Sequence, residues 1–184
     1  MQRTLLLTAF AVLASSASAQ VIRGGPLGVE DIKYRIFVGG GQTDSFTNNA
    51  AQSVRLQGPE IGIDLPLQRP VSGGPILMFT PSVLLGGQLS SGGDADGYVY
   101  RALIGMFTPL GAKGFYTRFC IGWSFAQSRG HQFGDESGFA PKYTLGYGLS
   151  MGDRAPVTAT LELSYHNASE SVLSGFSFGT TIRF

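Results

Sequence analysis

The chain has 184 residues, and its 13 lysine and arginine side chains almost balance 12 aspartate and glutamate side chains, giving a formal net charge of +1. A nucleic-acid partner normally requires a basic patch or stripe on the protein, and this balance of charge argues against such a partner. The single cysteine, Cys120, excludes an intramolecular disulfide, and the 27 glycines follow no collagen period.

The first 19 residues have the pattern of a secretory signal peptide. Arg3 supplies the positive start, residues 5–13 form an apolar core, and small residues ending at Ala19 form a cleavage site. The core is shorter than the roughly 18 residues that a spanning helix needs. We expect cleavage near Ala19 and, with Arg3 removed, a mature chain of zero net charge.

Alternating apolar and polar residues recur through the rest of the chain, which indicates β-strands with two different faces. Eight such segments are predicted, and together they would form one domain over residues 32–184, preceded by a short segment over residues 20–31. The apolar face comprises, strand by strand, Ile32, Tyr34, Ile36 and Val38; Val54, Leu56, Ile61, Ile63 and Leu65; Phe79, Val83 and Leu85; Tyr98, Tyr100, Ala102, Ile104 and Met106; Phe115, Thr117, Phe119, Ile121, Trp123 and Phe125; Phe139, Tyr143, Leu145, Tyr147, Leu149 and Met151; Val157, Ala159, Leu161, Leu163 and Tyr165; and Phe176, Phe178, Thr180 and Ile182.

Some segments depart from simple alternation. The second changes parity across Gly58 and Pro59, which predicts a β-bulge. The third and fourth are apolar on both faces, and our assignment of the fourth places Arg101 on the inner face. Pro81 and Pro141 fall within the third and sixth segments, where the strand boundaries are therefore less well determined.

The connections between strands alternate in length. Short Gly- and Pro-containing joins follow the second, fourth and sixth strands: "QRPVSGG", "LGAKG" and "GDRAP". Longer polar joins follow the first, third and fifth: "GQTDSFTNNAAQ", "QLSSGGDADG" and "QSRGHQFGDESG", while the last join, "NASES", is brief. Short turns at one end and long loops at the other are typical of an up-and-down barrel in an outer membrane.

A soluble sandwich would alternate in the same way but bury its apolar face. Here large aromatic residues crowd the apolar face near the strand ends, where a membrane barrel carries its aromatic girdles. The opposite face mixes small and hydroxyl residues with isolated charges, as a narrow lumen requires. We therefore predict an all-β fold, an eight-stranded antiparallel up-and-down transmembrane β-barrel, with a soluble periplasmic or secreted β-protein as the alternative.

The strand rhythm, the loop asymmetry and the closing stretch "SGFSFGTTIRF" resemble the small outer-membrane β-barrel family, the eight-stranded type of the OmpA transmembrane domain and OmpX. The resemblance covers roughly residues 32–184. It implies a Gram-negative-type outer membrane, a periplasmic N-terminus including residues 20–31, long loops outside the cell, and recognition of the last strand by the barrel-assembly machinery. The residues that match this assembly signal are Phe176, Phe178, Ile182 and Phe184.

The interior of an eight-stranded barrel is just wide enough to be filled by its own side chains. The predicted inward charges are Lys33, Arg35, Glu60, Asp64, Arg101, Arg118, Lys142, Glu162 and Arg183. Because buried charges must be paired or hydrated, the main hypothesis is a charge network that plugs the lumen. The sharper alternative is a narrow ion path.

The predicted role is structural, stabilising the envelope or presenting loops to surfaces and ligands. The expected protein is a monomer in contact with outer-membrane lipid, without a cofactor or metal, and its extracellular ligand is not identified by the sequence. One alternative is a narrow, porin-like channel or transporter for small or hydrophobic solutes. A second is a lipid A-modifying enzyme.

The enzyme alternative depends on His166. Lipid A deacylases carry a His-x-Ser-Asn pattern in a late strand, whereas here the string is "YHNASE" and the nearest serine, Ser169, is three residues on. In a strand only residues two apart share a face, so the two side chains would point in opposite directions. His131 lies near two carboxylates in a loop, where we interpret it as a solvated residue rather than a metal ligand.

"GGG" at residues 39–41 lacks the strand-to-helix setting of a phosphate-binding loop. We interpret it as a strand end.

Overall fold

The structure is a computed structural model that describes residues 34–67, 75–87, 95–110, 114–149 and 159–183. Eight strands form its barrel: β1 (Arg35–Thr43), β2 (Gln57–Pro66), β3 (Ile76–Gly86), β4 (Gly97–Leu110), β5 (Phe115–Ser128), β6 in two segments (Glu136–Phe139 and Lys142–Leu149), β7 (Ala159–His166) and β8 (Gly175–Arg183). Two short strands, Phe46–Thr47 and Ser53–Val54, form a hairpin in the first long loop. No helix in the described part of the chain is long and apolar enough to cross a membrane.

Each barrel strand pairs antiparallel with its neighbour in chain order, and β1 pairs with β8, where Arg35 lies opposite Arg183. This last pairing closes the sheet, so the ladder of hydrogen bonds continues around the whole barrel. Closure satisfies the backbone polar groups that an open sheet would expose to hydrocarbon. The predicted eight-stranded antiparallel up-and-down barrel is confirmed.

The two segments of β6 behave as one strand with a local interruption. Both keep the same register against β5, where Phe139 lies opposite Trp123 and Lys142 lies opposite Cys120. Between them, the Ala140 N–H still donates to the Gly122 carbonyl at 3.0 Å. Pro141 has no N–H to donate, which accounts for the break in the strand pattern.

The outward face carries an apolar belt. Exposed side chains on β5 run from Phe115, 44% exposed, to Phe125, 49% exposed. The ten residue steps between them span about 33 Å along the strand, or about 25 Å across a membrane at a typical barrel tilt. This height matches the apolar band of a transmembrane barrel. In seven of the eight strands, the described residues alternate between the inner and the outer face as predicted, and the exception is the second strand. Three residues assigned to the apolar face, Ile32, Met151 and Val157, lie outside the described residues.

The predicted bulge in the second strand is wrong. The register between β1 and β2 runs without a shift from Arg35 opposite Asp64 to Gln42 opposite Gln57. Val54 and Leu56 therefore do not face outward; both are buried, and they pack into an apolar cluster beneath the loops. The parity of the apolar residues changes because the inward side chains change from apolar, at Val54 and Leu56, to charged, at Glu60 and Asp64. The strand register does not change.

The interpretation of residues 39–41 as a strand end is also wrong. The three glycines lie inside β1, which continues to Thr43, and each pairs with a residue of both β8 and β2.

Candidate functional site

The lumen near the short turns holds a cluster of two arginines and two carboxylates, here called the turn-side cluster: Arg35, Asp64, Arg118 and Glu162. Arg35 Nη2 donates to Glu162 Oε1 at 2.5 Å, and Arg118 Nη2 donates to Glu162 Oε2 at 2.6 Å. Arg118 Nη1 also bonds Asp64, and the Tyr116 hydroxyl donates to Glu162. All four charged side chains are almost fully buried, so the two positive and two negative charges compensate each other away from water.

A second group lies nearer the long loops and is here called the loop-side cluster: Glu60, Ser82, Arg101, His166 and Ser177. Glu60 Oε1 accepts from Arg101 Nη1 at 3.2 Å and from the Ser82 hydroxyl at 3.1 Å. His166 Nε2 lies 3.4 Å from the Ser177 hydroxyl and 3.9 Å from Glu60 Oε1. This cluster is less completely bonded than the turn-side cluster, because Glu60 Oε2, Arg101 Nε and His166 Nδ1 have no hydrogen-bond partner among the described residues.

Lys142 supplies a further buried charge and is 2% exposed. Its ammonium group lies 5.5 Å from the centroid of the Phe37 ring, close enough for a cation–π contact. The structure thus places seven of the nine predicted charges inside the barrel and brings six of them into ion pairs. Of the other two predicted charges, Lys33 lies outside the described residues. For Arg183 the structure describes the backbone, which pairs with that of Arg35.

Sequence reasoning did not single out Tyr116 and His166 as members of these clusters. Tyr116 is fully buried and donates its hydroxyl proton to Glu162, and the Thr160 hydroxyl lies 3.0 Å from the Tyr116 hydroxyl. The Tyr116 ring stacks on Phe107 at a centroid distance of 4.5 Å. The signal was present, since Tyr116 is the one aromatic residue on the polar face of the predicted fifth strand. A large side chain on the face of a narrow lumen is expected to fill it.

Apolar clusters lie at both ends of the lumen. At the turn side, Ile76, Met78, Phe107 and Tyr116 pack together. At the loop side a larger cluster combines strand and loop residues; it contains Val54, Leu56, Leu84, Ala95, Val99, Ala126, Phe133, Val172 and Leu173. The charged middle of the lumen therefore lies between two apolar layers.

The loop-side layer is held by contacts between different loops. Phe46 and Phe133 meet edge to face at a centroid distance of 5.1 Å. The Asn49 N–H donates to the Gln132 carbonyl at 2.8 Å, and the Asn49 side-chain amide donates to the His131 carbonyl at 2.8 Å. The first and third long loops therefore form one joined cap over the barrel mouth.

The structure keeps His166 and Ser169 apart. His166 is fully buried in the lumen, whereas Ser169 is exposed in the last loop, and no hydrogen bond joins them in the described part of the chain. His131 is exposed, and the described ranges contain no group of three side chains that could hold a metal ion.

Of the residues assigned to the assembly signal, Phe176 and Phe178 are exposed on the outer face of β8, and Ile182 lies on the same face. Phe184 lies outside the described residues. Their role in assembly stays a prediction.

Two solved structures are similar to this chain. The crystal structure of Neisserial surface protein A is similar with a TM-score of 0.56 at 9% identity, over 82% of this chain and 94% of that one. Ail, the attachment invasion locus protein of Yersinia pestis, solved with the heparin analogue sucrose octasulfate, gives a TM-score of 0.43 at 12% identity, over 83% of this chain and 100% of that one. No family model and no curated protein sequence matches the chain. The first likeness shows the fold, that of the small eight-stranded outer-membrane barrels.

Proposed function

We propose that this chain is an outer-membrane protein whose barrel is closed to solutes and whose work is done by its long loops, through surface interaction or stabilisation of the envelope. The observation that carries the proposal is the filling of the lumen. Two charge clusters occupy its middle, and apolar clusters occupy both of its ends.

The charge clusters support a plug rather than an ion path. In the turn-side cluster Glu162 receives bonds from three donors, Arg35, Arg118 and Tyr116, which cross-link strands on opposite sides of the barrel. An ion that passed would have to break several of these charge-assisted bonds, each stronger than an ordinary hydrogen bond. A closed lumen follows from this cost.

The loops support a surface role. The larger apolar side chains of the described loop residues, such as Phe133 and Leu173, pack into the cap, whereas polar residues such as Gln52, Arg55 and Arg129 are exposed. A cap built in this way presents an ordered polar surface without opening the barrel. Rigid scaffolds commonly carry recognition residues on loops of this kind.

Site-directed labelling tests the location and the orientation. Ala50→Cys places a thiol in the exposed first loop, and Pro75→Cys places one at the turn side. On intact cells a membrane-impermeant maleimide should label Ala50→Cys, and it should label Pro75→Cys only after the outer membrane is permeabilised. The wild type serves as the control because its only thiol, Cys120, is buried. Recovery of the protein in the soluble fraction, or the reverse labelling pattern, would contradict the proposal.

Planar-bilayer recordings test the closed lumen. The wild type should show no stable conductance. The double variant Asp64→Ala with Arg118→Ala removes one negative and one positive charge, so the charge balance is kept. It leaves Arg35–Glu162 as the one remaining ion pair of the turn-side cluster, and it should therefore show small openings under the same conditions. Large, stable pores in the wild type would favour the channel alternative and overturn the plug.

A further inference from the structure

Three consecutive glycines occupy β1, and inward packing accounts for only two of them. A Cβ atom on Gly39 would clash with the Phe178 carbonyl, and one on Gly41 would lie 2.9 Å from the Glu60 carboxylate. A Cβ atom on Gly40 would meet nothing closer than the Gly58 carbonyl at 3.8 Å, an ordinary contact. Glycine weakens a strand interior and often marks a place where a ligand approaches the backbone.

Gly40 forms the floor of a groove on the outward face of the barrel. Phe178 on β8 lies opposite it on one side, and Pro59 on β2 lies opposite it on the other. The groove has a volume of about 400 Å³, and Leu163 and Phe176 extend the apolar wall that Phe178 forms. Phe178 is 60% exposed, so this wall stands well above the glycine floor.

The width of the groove selects its occupant. Phe178 and Pro59 lie on strands separated by two strand spacings, or about 10 Å. A carbon chain needs about 3.5–4.0 Å to the carbon atoms on each side, which leaves room for one hydrocarbon chain. A helix of a partner protein, about 10–12 Å in diameter with its side chains, cannot enter.

The end of the groove nearest the loops is polar. Gln42 and Gln57 face each other across β1 and β2, and both line the groove. The Gln42 side-chain amide has two N–H donors, which suit the ester carbonyl at the head of an acyl chain. Apolar walls below an amide pair reproduce the polarity profile of a lipid at the edge of a bilayer.

We propose that this groove binds one acyl chain of a membrane lipid from the leaflet on the loop side, with its ester carbonyl accepting from the Gln42 amide. The inference rests on the proposed membrane location. Inside a bilayer the groove gains no hydrophobic driving force over bulk lipid, so its preference comes from close packing and from the hydrogen bond. A polar contact of typical strength in a membrane corresponds to an enrichment of about threefold.

Photolabelling in nanodiscs tests the proposal. The full chain is inserted into phosphatidylethanolamine and phosphatidylglycerol nanodiscs that contain a trace of phospholipid with a diazirine on its acyl chain. After irradiation, adducts on Phe178 and Leu163 are compared by mass spectrometry with those on Ile104 and Ile121, which face lipid on other strands. We expect the groove residues to be labelled about threefold more.

Three variants separate the groove from ordinary lipid contact. Gly40→Leu fills the floor and should abolish the enrichment, whereas Gln42→Leu leaves the floor open and should reduce it. Ala102→Leu adds apolar bulk to an exposed lipid-facing position on β4 and should change nothing. Each variant is checked for heat-modifiable gel mobility, which reports an inserted barrel.

Equal labelling of the groove and of Ile104 and Ile121 would overturn the inference, as would enrichment that survives Gly40→Leu. Adducts on Ile104 and Ile121 with none on Phe178, as a second copy covering the groove would give, would also overturn it. Absence of heat-modifiable mobility in the wild type would instead count against the membrane location itself, so the two failures are distinguishable.

Discussion

Glu162→Gln should be among the most damaging single changes of charge in the protein. The carboxylate is 1% exposed and compensates two guanidinium groups, those of Arg35 and Arg118. Glutamine keeps the size of the side chain but removes its charge, so two positive charges would share only Asp64. Leaving a buried charge uncompensated costs about 3–5 kcal/mol, and we expect that loss in the free energy of unfolding.

A double variant shows whether charge balance or shape causes the loss. Arg35→Gln combined with Glu162→Gln restores one positive charge to one negative charge, because the Arg118–Asp64 pair remains. The double variant should therefore recover at least half of the stability lost in the single variant, a non-additivity expected of residues in direct contact. Glu136→Gln is the matched control, since that carboxylate is exposed and its change should stay within about 0.5 kcal/mol.

Unfolding in urea from lipid vesicles, followed by the fluorescence of Trp123, measures these differences. Trp123 is the only tryptophan of the chain and is 47% exposed on the lipid-facing side, so its emission changes when it leaves the bilayer. Wild-type stability in Glu162→Gln, or a double variant no more stable than the single one, would refute the view that paired charges hold the lumen together.

Three further outcomes follow from the packing. Gly146→Ala should prevent correct assembly, because a Cβ atom there would overlap the Tyr116 ring, whereas Gly40→Ala should yield normal heat-modifiable barrel; equal yields would show that Tyr116 can move aside. Phe133→Ala should lower the free energy of unfolding by about 3 kcal/mol, because it removes a buried phenylalanine ring. It should also speed protease cleavage of the third long loop while the barrel strands stay protected. Unchanged cleavage would mean that the cap does not depend on this ring. Cys120 should react with maleimide only in denaturant, since it is fully buried, and modification of the folded protein would show that the lumen opens.

Much of the barrel could be predicted because strand alternation has a period of two and each residue is therefore assigned to a face. The clearest example is β5, whose large apolar side chains from Phe115 to Phe125, other than Tyr116, face outward while Arg118 and Cys120 point in. Arg101 was assigned correctly from parity alone, although both faces of β4 are rich in apolar residues. In both strands the charged residue lies on the lumen face.

The pairing of the charges was beyond sequence reasoning. Parity places Arg35 and Glu162 on the same side of the wall, but their sequence separation of 127 residues carries no information about which carboxylate each arginine meets. That depends on the stagger between strands around the closed sheet, which is set by eight pairings at once. The alternation in β7 puts His166 on the same face as Glu162, but its position beside Glu60 depends on the register of β7 and β8.

The error at Val54 and Leu56 shows why the interior of this barrel cannot be treated as uniformly polar. An apolar strand residue can be assigned to the lipid-facing side only where the lumen contains no apolar region. Here the loop cap forms such a region, and Leu56 packs in it with Leu84 and Phe133 beneath the joined loops. Burying such side chains contributes roughly 1.5–3 kcal/mol each when they leave water. The cap is therefore stabilised by strand residues that continue up from the wall, so the loops are an integral part of the fold. A barrel that only had to anchor in a membrane would gain little from this arrangement, whereas one that presents a fixed surface outside the cell requires it.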